Sequence, residues 1–165
     1  MVIYKGRRNM SERILMPLDG SEIGEAALSY VEGLISRLAP GEAVEITLLH
    51  VITTVRHNVP YKGGGMVSIP YTEEQLKTFK DEARAYLDRV SKNLQNSKTT
   101  VVCRVSVSEN PAEAIIETEK ETNADLVAMA THGRGGLSRF AFGSVADRVM
   151  RGGSVPVLMV RSSEN

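Results

Sequence analysis

The residues best suited to chemistry are Ala130-Thr131-His132-Gly133-Arg134-Gly135-Gly136, followed by Gly143-Ser144-Val145-Ala146. A glycine loop lets backbone N–H groups approach an anion closely, because no Cβ intervenes. Gly143-Ser144 stands where a helix should begin, and the free N–H groups and positive dipole end of a helix favour phosphate. Ser144 adds a hydroxyl donor and also suits an N-cap. Arg134 could bring positive charge to an outer phosphate. The same glycine string also fits a plain turn between a strand and a helix, and residue types alone leave both readings open. Neither a G-x-x-x-x-G-K-[ST] loop nor a G-x-G-x-x-G turn after the first strand is present, so the two standard phosphate fingerprints are excluded. His50, His57 and His132 are too scattered for a metal site or a catalytic triad. Cys103 reads as a buried, inert strand thiol.

The elements that must position this segment are legible from periodicity. Ile14-Leu15-Met16-Pro17-Leu18 followed by Asp19-Gly20-Ser21 is a strand, a turn and a helix start. Residues 22–38 carry apolar side chains at spacings of three and four, the pattern of an amphipathic helix ended by Pro40-Gly41. Val44 to Val51 is a second strand, with Leu48 and Leu49 consecutive as in a strand covered on both faces. Residues 53–71 read as a long loop, functional or disordered. Leu76, Phe79, Ala83, Leu87, Val90 and Leu94 form one helical stripe directed at the core. Val101, Cys103, Val105 and Val107 alternate as a third strand. Asn110-Pro111-Ala112-Glu113 then opens a helix with an N-cap, a first-turn proline and an acidic residue. Asp125 to Ala130 is a fourth strand, residues 143–151 a fourth helix, and Val155 to Arg161 a fifth strand.

Strands separated by helices pair in parallel through right-handed crossovers. The expected fold is therefore α/β, a five-stranded parallel open sheet with helices on both faces. Ligands of such sheets sit beyond the carboxyl ends of the strands, where the strand order reverses. That draws attention to Asp19, Val51 and the loop from Ala130.

The 165 residues suit one domain, expected over 13–162, with a polar tail over 1–12 in which Met1 and Met10 are both possible starts. Lys plus Arg and Asp plus Glu number 20 each, for a net charge of zero. This balance gives no reason to expect a nucleic acid or an anionic membrane as partner. No apolar run is long enough to span a bilayer, and none follows Lys5, Arg7 and Arg8 to make a signal peptide. A single cysteine fits a reducing, cytoplasmic location.

Taken together, these segments resemble the universal stress protein family over residues 12–162. Gly133, nine intervening residues, then Gly143-Ser144 match the second spacing of the family's G-x2-G-x9-G-[ST] motif, found in its ATP-binding branch. The opening strand and turn from Ile14 to Ser21 also resemble the family. So do Leu49-His50-Val51, Asn110 to Ile115, Thr131 to Leu137 and Pro156 to Arg161. The motif's first glycine is here Ala130, whose Cβ narrows the approach of a ribose to the backbone.

The resemblance implies a Rossmann-like domain of the adenine-nucleotide-binding type. It implies that Pro17 and Asp19 lie beside the adenosine and that Val51 faces the adenine edge. Met129 and Ala130 would line the base and ribose. His132, Gly133, Arg134, Gly135 and Gly136, with Gly143, Ser144, Val145 and Ala146, would surround the phosphates. Any Mg²⁺ would arrive with the ATP. The implied function is an ATP-binding stress or signalling module, homodimeric through the last strand (155–161), whose nucleotide state an unknown protein partner reads. A slow ATPase on the same site and a nucleotide-free interaction protein are the alternatives from other classes. Asp19, His132 and Arg134 are the available candidates for hydrolysis, but they form no recognisable catalytic pair, so no catalytic residue is assigned.

Overall fold

The structure is a computed structural model that describes residues 12–37, 43–53, 56–60, 62–94, 98–131 and 143–161. Five strands form a parallel sheet: β1 (Glu12–Pro17), β2 (Val44–Ile52), β5 (Thr99–Val107), β6 (Leu126–Thr131) and β7 (Val157–Arg161). Their order is β5-β2-β1-β6-β7. The chain therefore runs outward from β1 in one direction, then crosses back to β6 and runs outward in the other. The reversal falls between β1 and β6, which pair in parallel through Ile14 with Leu126 and Leu15 with Val127.

Four helices cover the sheet: α1 (Glu22–Ile35), α2 (Glu73–Leu94), α3 (Pro111–Glu121) and α4 (Ser144–Gly152). Alternation along each strand decides which residue goes to which face. Ile14, Met16 and Leu18 join Ile46, Leu48 and Ala128 in a core packed against Ala27 and Val31 of α1 and Leu87, Val90 and Leu94 of α2. Leu15, Leu49, Val127 and Met129 point the other way, onto Ala112 and Ile115 of α3 and Ala146 and Val149 of α4. β1, β2, β6 and β7 therefore give apolar residues to both sides, as the consecutive Leu48-Leu49 pair suggested, while β5 gives them to one.

Capping chemistry sets the helix starts. Ser21 caps α1, its hydroxyl accepting from the Gly24 N–H at 2.9 Å. Asn110 caps α3, accepting from the Glu113 N–H at 3.4 Å, with Pro111 in the first turn. These bonds satisfy N–H groups that a helix start leaves without partners.

The connection expected as a bare loop over 53–71 is corrected. It holds an antiparallel hairpin, β3 (Arg56–Pro60) paired with β4 (Met66–Pro70), separate from the main sheet. Gly64 and Gly65 turn it at φ +86° and +108°, values a side chain rarely adopts. Several end points also shift: α1 ends at Ile35 rather than residue 38, and β5 begins at Thr99 rather than Val101. β1 begins at Glu12, and β7 begins at Val157 rather than Val155. Cys103 is half-buried rather than buried, and burial, then the Asp88 charge, pushes its thiol pKa up. That supports an inert thiol. No helix among the described residues is long and apolar enough to cross a membrane.

Candidate functional site

Beyond the carboxyl ends of β1, β2 and β6 the sheet opens into a cavity of about 1220 Å³. Small-molecule sites usually span about 300–1,000 Å³, so this one has room for a nucleotide-sized ligand. The reversal of strand order produces it, because α1, which follows β1, and α4, which follows β6, pack on opposite faces of the sheet. Of the residues singled out from the sequence, Pro17, Asp19, Val51, Met129, Ala130, Gly143, Ser144, Val145 and Ala146 all line this cavity. His132, Gly133, Arg134, Gly135 and Gly136 lie outside the described residues.

Asp19 sits in the turn between β1 and α1. Its Oδ1 accepts from the Ser21 N–H at 3.0 Å and from the Ser21 hydroxyl at 2.6 Å. Burial raises its carboxyl pKa, but the two Ser21 bonds and the nearby His50 outweigh that and hold it below the ordinary value of 3.8. Asp19 thus presents a fixed negative charge to the cavity. It also engages the start of α1 through Ser21. A Cβ at Gly24 would lie 2.5 Å from Asp19 Oδ1, so a side chain there would displace the carboxylate.

The start of α4 is different. Its N-cap is Gly143, at φ +85°, and no side chain caps it among the described residues. Ser144 is the first helical residue, which corrects its expected role as N-cap. The first helical bond runs from the Asp147 N–H to the Gly143 carbonyl, 3.0 Å. The N–H groups of Ser144, Val145 and Ala146 precede it, at the positive end of the helix dipole. These residues fit an anionic group. The two sides of the cavity therefore differ in sign, with a carboxylate at Asp19 and an uncapped helix start at Gly143. An elongated ligand anionic at one end would be held in one orientation.

The cavity has a third wall that the sequence reading did not assign to it. Tyr71, Phe79, Glu82, Ala83 and Tyr86 reach it from α2 and the chain just before it, and His50 reaches it from β2. Phe79 and Ala83 belong to the stripe assigned wholly to the core. His50 is one of the three histidines too scattered in sequence to suggest a metal site or triad. Its ring lies edge-on to Tyr86, with centroids 6.0 Å apart and planes at 71°. Tyr71 and Phe79 make a second edge-on pair at 5.0 Å. Burial, then the Glu25 carboxylate, pushes the Tyr86 hydroxyl pKa up, so it stays protonated. No group of three or more His, Cys, Asp or Glu among the described residues could hold a metal ion.

A doubly covered parallel sheet with its cavity at the reversal of strand order defines a class of α/β ligand-binding domain. The comparisons narrow that class. The sequence pattern of the universal stress protein family matches residues 10–161, and the chain belongs to that family. It is 28% identical over 160 residues to universal stress protein MJ0577 of Methanocaldococcus jannaschii, covering 92% of this chain and 96% of that one. It is 29% identical over 159 residues to MJ0531 of the same organism, covering 96% and 87%. The solved structure of MJ0577 superposes with a TM-score of 0.67 at 25% identity, over 95% of this chain and 100% of that one. A universal stress protein solved in complex with cAMP shares the fold, with a TM-score of 0.58 at 19% identity over 94% and 100% of the two chains.

Proposed function

We propose that this chain binds ATP in the cavity at the carboxyl ends of β1, β2 and β6, as a nucleotide-responsive module. The observation that carries the reading is the start of α4, which no side chain among the described residues caps, on the wall of a nucleotide-sized cavity that Asp19 also lines. Phosphates belong at Gly143, Ser144, Val145 and Ala146, where free N–H groups and the dipole converge. The Asp19 carboxylate repels them and accepts from ribose hydroxyls instead. Val51 and Met129 supply apolar contact to the base, with Pro17 and Ala130 beside it. Gly133 and Arg134 belong to the phosphate end, and Mg²⁺ comes with the nucleotide. That a protein of this fold was solved with cAMP is in keeping with an adenine nucleotide as ligand.

Hydrolysis is slow or absent on this reading. A general base works best with a pKa near the working pH, and Asp19 is held below the ordinary carboxylate value. The protein acts in the cytoplasm as a homodimer, with a further protein partner reading its nucleotide state.

Mass spectrometry of ligand released from the purified protein, with thermal-shift titration against ATP-Mg²⁺, GTP-Mg²⁺ and cAMP, tests the assignment. The melting temperature should rise with ATP by mass action, and less with GTP. No shift at millimolar ATP would sink it. Turnover in the common enzymatic range of about 1–1,000 per second would replace the module with an enzyme.

A further inference from the structure

The β3–β4 hairpin makes no extended contact with the main sheet or with any helix among the described residues. β4 is exposed along its whole length. Met66, Val67 and Ile69 are 64%, 44% and 40% exposed, and make up half of the large apolar side chains left exposed among the described residues. Val67 pairs across the ladder with Val59, and Ile69 lies two residues on, so these three share one apolar face of the hairpin. A two-stranded hairpin standing alone in water is marginal, and apolar surface gathered in one place marks something to be covered.

The roots of the hairpin say what covers it. β2 ends at Ile52, and Thr53, the next residue, lines the cavity. β4 ends at Pro70, and Tyr71, the next residue, also lines it, edge-on to Phe79 of the same wall at 5.0 Å. Both legs of the hairpin therefore rise from the wall of one cavity. Each strand has five residues and reaches about 17 Å. That is enough to cross the mouth of a cavity of about 1220 Å³. Between Ile52 and Glu73 the chain carries Arg56 and Lys62 and no acidic residue, although the whole chain is neutral. A second copy would set this cationic arm against itself, and like charges facing each other across strands oppose pairing. An anionic ligand in the cavity complements it instead.

We propose that the β3–β4 hairpin is a lid that folds over the mouth of the cavity when nucleotide is bound, laying Val59, Val67 and Ile69 across the opening. This rests on the nucleotide reading above and adds the segment that closes the site. Thr53 and Tyr71 are the hinges. Bound nucleotide supplies a floor for the apolar face and phosphates opposite in charge to the arm, so ligand shifts the hairpin towards the closed arrangement. Closure slows escape of the ligand, as lids do.

The chain contains no tryptophan, so Val67→Trp places a single reporter on the exposed face of β4. Titrated with ATP-Mg²⁺, the full chain carrying V67W should shift its emission to shorter wavelength and lose accessibility to acrylamide quenching. Calorimetry on the same protein records binding separately. Replacing residues 56–70 by a short Gly-Ser linker should speed ATP dissociation by about tenfold in stopped flow, with association little changed. ATP binding with emission and quenching both unchanged overturns the lid and leaves the nucleotide reading standing. A shift that follows protein concentration rather than ATP also overturns it, in favour of a second copy. So does a folded linker variant that releases ATP at the parent's rate; the V67W arm decides the matter if that variant does not fold. Absence of ATP binding in the parent overturns the nucleotide reading and the lid with it.

Discussion

The Asp19 carboxylate accepts twice from Ser21, and the Ser21 hydroxyl accepts from the Gly24 N–H. One relay therefore joins the cavity wall to the start of α1. Ser21→Ala should cost about 1 kcal/mol of stability in urea denaturation, as the loss of a helix cap does. It should also release Asp19 and weaken ATP binding in titration calorimetry. A variant equal to the parent in both would show that the relay does not matter. The relay also gives a pH signature. Because the folded pKa of Asp19 lies below its ordinary value, its contribution is complete above that value and is lost as pH falls through the folded pKa. The difference in melting temperature between the parent and Asp19→Asn should therefore be flat above about pH 5 and change only below about pH 4. A change confined to neutral pH would contradict the assignment.

At the scale of elements, the join between α4 and β7 depends on packing rather than on backbone conformation. Glu119 of α3 is 1% exposed, and its Oε1 accepts from the Ser154 N–H at 2.8 Å and the Ser154 hydroxyl at 2.6 Å. A Cβ on Gly153 would lie 2.6 Å from Glu119 Oε2 and 2.9 Å from the Val149 carbonyl. Gly153→Ala should therefore destabilise by about 1–3 kcal/mol, as overpacking does; an unchanged denaturation midpoint would show that the neighbours yield freely. This contact was not legible in the sequence, where Gly152-Gly153 shows only a helix end. The main sheet was legible, because a strand covered on both faces needs consecutive apolar residues such as Ile14 to Leu18 and Leu48-Leu49. The hairpin was not, because Arg56 to Pro60 holds a single apolar residue, Val59, before its closing proline, and its partner β4 is exposed along its length. Its signal lay in two short runs either side of Gly63-Gly64-Gly65. The cavity's β-strand and α4 walls followed from strand ends and a glycine motif. The His50–Tyr86 wall did not, because contact between β2 and α2 depends on how the crossover returns.

At the scale of the molecule, the two sheet edges differ in their defences against pairing. β5 carries Arg104 in mid-strand, bonded to Glu121 at 2.7 Å. β7 reads Val-Leu-Met-Val and meets a charge only at Arg161. Charged residues within an edge strand discourage pairing with another chain, so β7 is the edge on which the proposed homodimer should form. Leu158→Pro removes a ladder donor and should give monomer in sedimentation velocity. A folded, unchanged dimer would move the interface elsewhere. The order of the sheet also bears on synthesis. β1 is joined to its neighbour β6 by the bond from the Arg13 N–H to Asp125, which spans 112 positions. On a ribosome, β1, β2 and β5 can associate while β6 is still unmade, since chains emerge from the N-terminus. The wall with Asp19, His50 and Tyr86 then exists before the start of α4 does. A half-made chain would hold that wall, yet lack Met129, Ala130 and the positive helix end. Capture of ATP would thus be confined to chains that have been completed.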